Sequence, residues 1–323
     1  MNTFDTITPI AEVAAFLLSK GWISTDEKVH HIEKPGEGNM NVVLRVRTNQ
    51  RSFILKQSRP YVQKYRQVEA PLARIAVEHR FYQLVQDPSI AEHLPEIYAY
   101  DPSDHLMMME DLGQCEDMTY LYQDREIDAS QLGKLVSILE KIHQTSIPED
   151  FPENLEMRHL NHQHIFVLPF LEDNGFELDA VQEGLQKLSL PYKKDWALAQ
   201  KISEIGKKYL AKGTVLLHGD YYPGSWMVKG KNLYVIDPEF GFAGFPEFDL
   251  GVMAAHLVMA TMDGEYLKTI RRHYQGNFDP HLMKQVAGIE IMRRLIGLAQ
   301  LPLQRSIEEK DYLLQMAHKM ILS

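Results

Sequence analysis

Between residues 29 and 57 apolar and polar side chains alternate, most regularly in the stretches NVVLRVR (41–47) and SFILK (52–56). A period of two sends successive side chains to opposite faces, and the polar segment 48–51 between the runs predicts an antiparallel hairpin. Upstream, MNTFDTITPIAEVAAFLLSKG reads as an amphipathic helix ending near Gly21. A helical stretch is expected from about Gln67 to Val85, followed by two extended runs, EIYAYD and HLMMMED, around the turn signal Asp101-Pro102-Ser103-Asp104. After Gly113 the period changes. Helices are expected near 129–144, 195–211, 249–275, 281–300 and 306–321, interrupted only by the strand-like pieces LLHGD, WMVK and LYVID. The longest apolar run, Leu250 to Met262, contains His256 and falls short of the roughly 20 residues needed to cross a bilayer, so a buried core helix is expected. The pattern as a whole describes an α+β chain with a small, sheet-rich N-terminal lobe (1–113) and a larger, mainly helical C-terminal lobe (114–323).

Length and composition narrow the classes. At 323 residues the chain is about twice a usual ~150-residue domain, which suits two lobes. Lys and Arg number 34 against 44 Asp and Glu, and a net charge of -10 lacks the basic footprint that nucleic-acid binders need. The single cysteine, Cys115, can form neither an intramolecular disulfide nor a thiolate cluster, which fits a reducing compartment. No Lys or Arg precedes Lys20, so the basic segment of an export signal is missing. The expectation is a cytoplasmic protein that binds neither nucleic acid nor membrane, with a homodimer left open.

The most informative stretch is HGDYYPGSWMVKGKNLYVIDPEFGF, residues 218–242. His218-Gly219-Asp220 closes an apolar strand and opens a loop, where a carboxylate can project while the strand fixes its backbone. Ser225 follows five residues later, a small hydroxyl able to bind the loop or a metal-bound oxygen. WMVK, the turn Gly230-Lys231-Asn232 and LYVID then read as a tight hairpin that delivers Asp237. Pro238 favours an extended predecessor, and side chains two apart in extended chain share a face, so Asp237 and Glu239 are expected to reach one ion together. Three carboxylates, Asp220, Asp237 and Glu239, with no thiolate nearby make a hard oxygen site suited to Mg²⁺, the ion that phosphoryl transfer uses. The bland alternative for His218-Gly219-Asp220 alone is an aspartate capping a turn.

Other segments fit the same chemistry. Gly36-Glu37-Gly38-Asn39-Met40-Asn41 precedes a strand, where glycines let backbone amides approach phosphates, although a hairpin turn would look alike. Lys56 lies on the second strand of the hairpin, on the face of Ile54, and needs a partner such as a phosphate or Glu78 on the following helix. An edge-strand lysine reaching water is the other option. Glu69 competes with Glu78 for that role. Met109-Glu110-Asp111-Leu112-Gly113 ends a strand at the lobe boundary, where backbone groups can meet an adenine edge. Arg293-Arg294 interrupts the apolar helix GIEIMRRLIGLAQL; adjacent positions point about 100° apart, so at least one arginine should turn to a cleft or a carboxylate, unless both snorkel. His159, His162 and His164 have no common zinc spacing, and no Walker A loop is present.

In order and content these motifs resemble the protein-kinase-like small-molecule kinases, the superfamily of aminoglycoside phosphotransferases and choline kinases, and within it most closely the methylthioribose kinases. GEGNMN, LKQSRPYV, MMMEDLG, NLEMRHLNHQHIFVLPF, HGDYYPGS, IDPEFGFAG and MRRLIGLA carry the likeness from about residue 36 to 300. The resemblance implies a bilobal protein-kinase-like fold that binds ATP and Mg²⁺ and phosphorylates a hydroxyl of a small sugar-like acceptor, methylthioribose or a relative. It implies Asp220 as catalytic base, Asp237 and Glu239 at the metal, and Lys56 on the α- and β-phosphates. It also implies phosphate contacts at Gly36, Gly38 and Asn39, adenine at the backbone of Glu110 and Leu112, and Arg293 and Arg294 near the acceptor, with Glu78, His218 and Ser225 in support. Ser225 replaces the Asn of the wider superfamily, as expected of methylthioribose kinases. Tyr221-Tyr222-Pro223 departs from their usual Leu-His-Thr and touches acceptor recognition rather than nucleotide chemistry. Two alternatives follow: an aminoglycoside, choline or other amino-alcohol kinase, in which Tyr221 and Tyr222 would help to form an aromatic wall, and an inert nucleotide-binding module of the same fold.

Overall fold

The alternation at 41–57 becomes the hairpin it predicts. In the computed structural model, which describes residues 1–36 and 40–323, helix α1 (Ile10–Ser19) and strand β1 (Val29–Glu33) lead into β2 (Val42–Thr48) and β3 (Ser52–Gln57). β2 and β3 run antiparallel with Leu44 opposite Leu55 and Val46 opposite Phe53. The short strands β4 (Tyr61–Val62) and β5 (Tyr65–Glu69) pair with each other before α2 (Arg74–Leu84), and β6 (Ile97–Asp101) and β7 (Leu106–Glu110) complete a five-stranded sheet of order β1-β2-β3-β7-β6. One face buries Val42, Leu44, Val46, Phe53, Leu55 and Met108 with Val13 and Leu17 of α1. Burying one such side chain contributes about 1.5–3 kcal/mol, so the period-two pattern fixes which face turns inward.

The helix expected from Gln67 begins only at Arg74. Residues 65–69 pair with β4 instead, and Pro71 follows them; proline disfavours helical geometry in its predecessor.

The second unit opens on β8 (Glu116–Asp117), α3 (Leu121–Asp124), α4 (Ala129–Gln144), α5 (Leu155–His162), α6 (Leu178–Val181), α7 (Leu185–Lys193) and α8 (Trp196–Leu210). Asp128 and Asp195 accept the first free N–H groups of α4 and α8 and so cap them. Strands β9 (Val215–Leu217), β10 (Trp226–Lys229) and β11 (Asn232–Val235) are the extended pieces seen in the sequence, and β12 (Phe242–Gly244) is additional to them; β10 pairs with β8, and β12 with β9. Then come α9 (Glu247–Thr261), α10 (Glu265–His273), α11 (Pro280–Ile296) and α12 (Ile307–Leu322). The helix expected over 249–275 is therefore two, broken at Met262, whose φ is 63°. α9 is buried on nearly all sides and packs against α11, as its apolar run predicts. Gly288 lets α11 approach α12: a β-carbon there would lie 2.7 Å from the Ala317 carbonyl oxygen.

Two compact units result, Met1–Cys115 with Tyr234–Glu239, and Glu116–Leu233 with Phe240–Ser323. A single cut near Gly113 thus misses the return of Tyr234–Glu239 to the first unit. Among the described residues no helix is long and apolar enough to cross a membrane.

Candidate active site

In the first unit Lys56, 3% exposed near the end of β3, is clamped between carboxylates. Its Nζ lies 2.7 Å from Oε1 of Glu78 on α2 and 2.5 Å from Oδ1 of Asp237. Burial works against the ammonium, but Asp237, Glu78 and Glu239 overcome it and raise its pKa, so it stays charged. Burial pushes the Glu78 carboxyl up, opposed by the Lys56 ammonium and reinforced by Asp237 and Glu239. Glu69 is exposed on β5, which settles the choice between it and Glu78.

Asp237 does not adopt the extended geometry expected before proline. Its φ is 64°, and Pro238–Phe240 forms a 3-10 turn. The left-handed kink leaves the Asp237 side chain 45% exposed beside Lys56, whereas Glu239 is buried. Glu239 Oε2 accepts from Asn41 Nδ2 at 2.9 Å and pairs with Arg74 Nε at 3.0 Å. Arg74, fully buried at the start of α2, also donates to the carbonyls of Met40, Arg59 and Pro71. It thereby joins the segment before β2 to the one after β3. Neither Asn41 nor Arg74 stood out in the sequence; the signal available was an arginine heading a helix that buries Ile75, Val77 and Phe81. Gly36 is exposed, and Gly38 and Asn39 lie outside the described residues.

The connector after β7 is fixed by Asp111. Its carboxylate accepts from Arg45 Nε at 2.9 Å, from the Gly113 N–H at 2.9 Å and from the Ser52 hydroxyl, while Arg45 also donates to the Gly113 carbonyl. The Glu110 N–H is spent on Glu96, and that of Leu112 has no hydrogen bond among the described residues. Such a group can receive a ligand acceptor.

In the second unit Asp249 organises the turn that carries His218, Gly219 and Asp220. Completely buried near the start of α9, it accepts from the N–H of His218 at 2.7 Å and of Gly219 at 3.0 Å, and from His143 Nε2 at 3.2 Å. Gly219 has φ 85°, and a β-carbon there would lie 2.2 Å from the Phe240 carbonyl oxygen, so only glycine fits. Ser225 donates to the Asp220 carbonyl at 2.9 Å, the loop-binding option of its two expected uses. Asp220 itself keeps 22% of its side chain exposed and meets Arg294 Nη2 at 3.4 Å. The Arg294 guanidinium also lies 5.1 Å from the Tyr222 ring centre, a cation–π distance. Tyr221 is fully buried and donates to the Leu135 carbonyl. Both arginines turn to one carboxylate, Glu290, rather than snorkelling. Asp249 did not stand out in the sequence although it is a carboxylate between Phe248 and the apolar run from Leu250, which has to find donors when buried.

Among the described residues no group of three or more His, Cys, Asp and Glu side chains can hold a metal ion, which corrects the expected three-carboxylate cluster. Glu239 is engaged with Arg74 and Asn41, and Asp237 is left as a half-exposed hard oxygen donor. One or two carboxylates, with phosphates and water completing the shell, are what Mg²⁺ requires, so the residues fit that ion without a three-carboxylate cage.

Residues 31–286 match the model of the phosphotransferase enzyme family. Methylthioribose kinase of Geobacillus kaustophilus is 26% identical over 332 aligned residues, covering 85% of this chain and 81% of that enzyme. The methylthioribose kinase of Bacillus cereus is 24% identical and covers 97% of this chain and 91% of its own. In fold the chain is similar to spectinomycin phosphotransferase in complex with ADP and spectinomycin (TM-score 0.57, 14% identity, 98% of both chains). It is also similar to a choline/ethanolamine kinase family protein from Mesorhizobium loti (TM-score 0.56, 15% identity, 98% of this chain and 96% of that one). The family match spans well over half of the sequence and the neighbours share the protein-kinase-like α+β fold, so this chain belongs to the phosphotransferase enzyme family and is a small-molecule kinase.

Proposed function

We propose that the chain transfers a phosphoryl group from ATP to a hydroxyl of a small sugar, with methylthioribose as first candidate. The observation that carries this reading is the Lys56–Asp237 pair. A buried, charged ammonium beside a half-exposed carboxylate supplies the two groups that nucleotide phosphates need, a cation for their oxygens and a ligand for their metal. Lys56, aligned by Glu78, would bind the α- and β-phosphates. Asp237 would hold Mg²⁺, with Glu239 behind it as an anchor on Asn41 and Arg74. When bound, the ion neutralises charge on the phosphates. Adenine would bond to the backbone at Glu110 and Leu112, on the connector that Asp111 fixes, and Gly36, Gly38 and Asn39 would approach the phosphates.

Asp220 would orient the acceptor hydroxyl and take its proton, with His218 and Ser225 fixing its turn. Transfer through a loose transition state asks mainly for positioning and electrostatics, and the Asp249 clamp on this turn serves that end. Arg293 and Arg294 would face the acceptor. Tyr221 is buried and Tyr222 is already covered by Arg294, so neither offers the open aromatic face that a choline-like cation needs. That favours sugar over amino alcohol.

The test is a coupled kinase assay with methylthioribose, spectinomycin, choline and ethanolamine, run on wild type and Asp220→Ala. Methylthioribose should be turned over fastest. The variant should bind ATP within a few-fold of wild type and lose phosphoryl transfer; wild-type turnover without the carboxylate would refute the role of Asp220.

A further inference from the structure

The roles above leave the buried carboxylate of Glu290 without a task. Glu290, in the middle of α11 and 1% exposed, accepts from Nε of Arg293 and, at 2.8 Å, from Nε of Arg294. Its Oε1 also lies 3.0 Å from His256 Nε2. His256 comes from α9 and is fully buried, with Nδ1 2.5 Å from the Tyr122 hydroxyl and its ring 5.0 Å from that of Tyr222. Burial pulls the imidazole down to about 4, so it is neutral near pH 7. The partners then assign the tautomer: the Tyr122 hydroxyl donates to Nδ1 and Nε2–H donates to Glu290. Burial would raise the Glu290 carboxyl, but Arg293, Arg294 and His256 hold it well below the ordinary range.

Packing alone does not call for this arrangement. Ion clusters are costly to bury, and apolar side chains of similar volume often hold two helices together at least as well. What the carboxylate does is geometric. With Nε of each arginine engaged, the planes of both guanidinium groups are set and only their Nη ends remain available. Arg294 turns Nη2 toward Asp220 and lies over Tyr222. The Nη groups of Arg293 have no hydrogen-bond partner among the described residues. Two cations sharing one anion leave a single net positive charge, which Asp220 balances.

We propose that Glu290, braced by His256, is a positioning residue that fixes Arg294 against the Asp220 carboxylate and presents the Nη groups of Arg293 to oxygen atoms of the acceptor. The proposal rests on Asp220 acting as the base. It assigns no chemistry to Glu290 itself; the residue acts through the arginines.

The experiment compares wild type, Glu290→Gln, Arg294→Lys and the double variant in steady-state kinetics with ATP and methylthioribose, together with a crystal structure of Glu290→Gln. Glu290→Gln should lower kcat/KM for methylthioribose on the order of 10²-fold, the scale set by a misplacement of about 1 Å, while KM for ATP stays within about twofold. The double variant should be no worse than the poorer single one, because both changes break one unit. In the crystal structure Arg294 should have left Asp220. Losses that multiply, or an Arg294 that stays in place, would overturn the proposal. Should Glu290→Gln fail to fold, His256→Asn removes the brace and leaves the carboxylate in place; it should weaken acceptor turnover by roughly tenfold with the same KM pattern. Unaltered acceptor kinetics in a folded His256→Asn would count against the proposal. If Asp220→Ala retains turnover, the assignment of the base fails, and the crystallographic arm still decides whether Glu290 holds Arg294.

Discussion

The two units bury opposite electrostatic motifs: the first surrounds one ammonium with carboxylates, the second surrounds one carboxylate with guanidinium groups. They differ in how the partners are brought together. Lys56 meets Glu78 and Asp237 across 22 and 181 residues, so its cluster exists only after β3, α2 and the segment Tyr234–Glu239 have assembled. Glu290 meets Arg293 and Arg294 at three and four residues along one helix, positions that share a face as soon as α11 is helical. The first cluster is a product of tertiary structure, and the core of the second is local. Long-range assembly makes the Lys56 cluster sensitive to the loss of either buried member, since Lys56 or Glu78 left behind is a buried ionisable group without its partner.

The largest expected effect follows from that difference. Lys56→Met leaves Glu78 buried without its cation and should lower stability by about 3–5 kcal/mol, measured by urea unfolding, as well as abolish phosphoryl transfer. A variant as stable as wild type would show that the carboxylates tolerate isolation and that the two clusters do not differ in this way. Asp249→Asn comes next. The amide keeps one acceptor oxygen but sets an NH₂ group against a backbone donor, so a loss of about 1–3 kcal/mol is expected, with kcat reduced more than KM for ATP. Equal effects on kcat and KM for ATP would sever the turn around Asp220 from catalysis.

The smallest effect concerns pH and sharpens the contrast from the side of the second cluster. His256 faces Tyr122, Tyr222, Glu290, Arg293 and Arg294, and its folded pKa of about 4 lies below the ordinary 6.5. Below 6.5 the unfolded chain binds a proton that the folded chain refuses, so stability falls as pH drops through this window. Between about pH 7.5 and pH 5 the loss should be about 2 kcal/mol, and His256→Asn should remove that part of the slope. An unchanged slope in the variant would mean that His256 titrates normally.

Much of this was legible beforehand. The β2–β3 hairpin follows from strict alternation with one face buried, and α9 follows from an apolar run too uniform for any surface. The motif order was enough to bring Asp220, Asp237, Lys56 and the arginine pair forward as candidates. Other features were hidden for identifiable reasons. Residues 67–69 read as part of the following helix because the β4–β5 hairpin, with strands of two and five residues, is too short to show a clear alternation. Asp237 departs from the preference of a residue before proline, in a left-handed kink whose carboxylate meets Lys56, a partner far away in sequence. Asp249, Glu290 and Arg74 were passed over although each sits among apolar neighbours, the one sign in a sequence that a charge is destined for a buried partner.

The sequence by itself determined the periodicities, the caps and the chemical types in each motif, because these depend on neighbours within a few residues and on hydrogen bonds the backbone must satisfy. Which carboxylates serve Lys56 was decided by tertiary structure alone. Candidates such as Glu69 and Glu78, or Glu239 as ligand and Glu239 as anchor, are equivalent in sequence, and burial separates them only once the chain has closed around one and left the other in water.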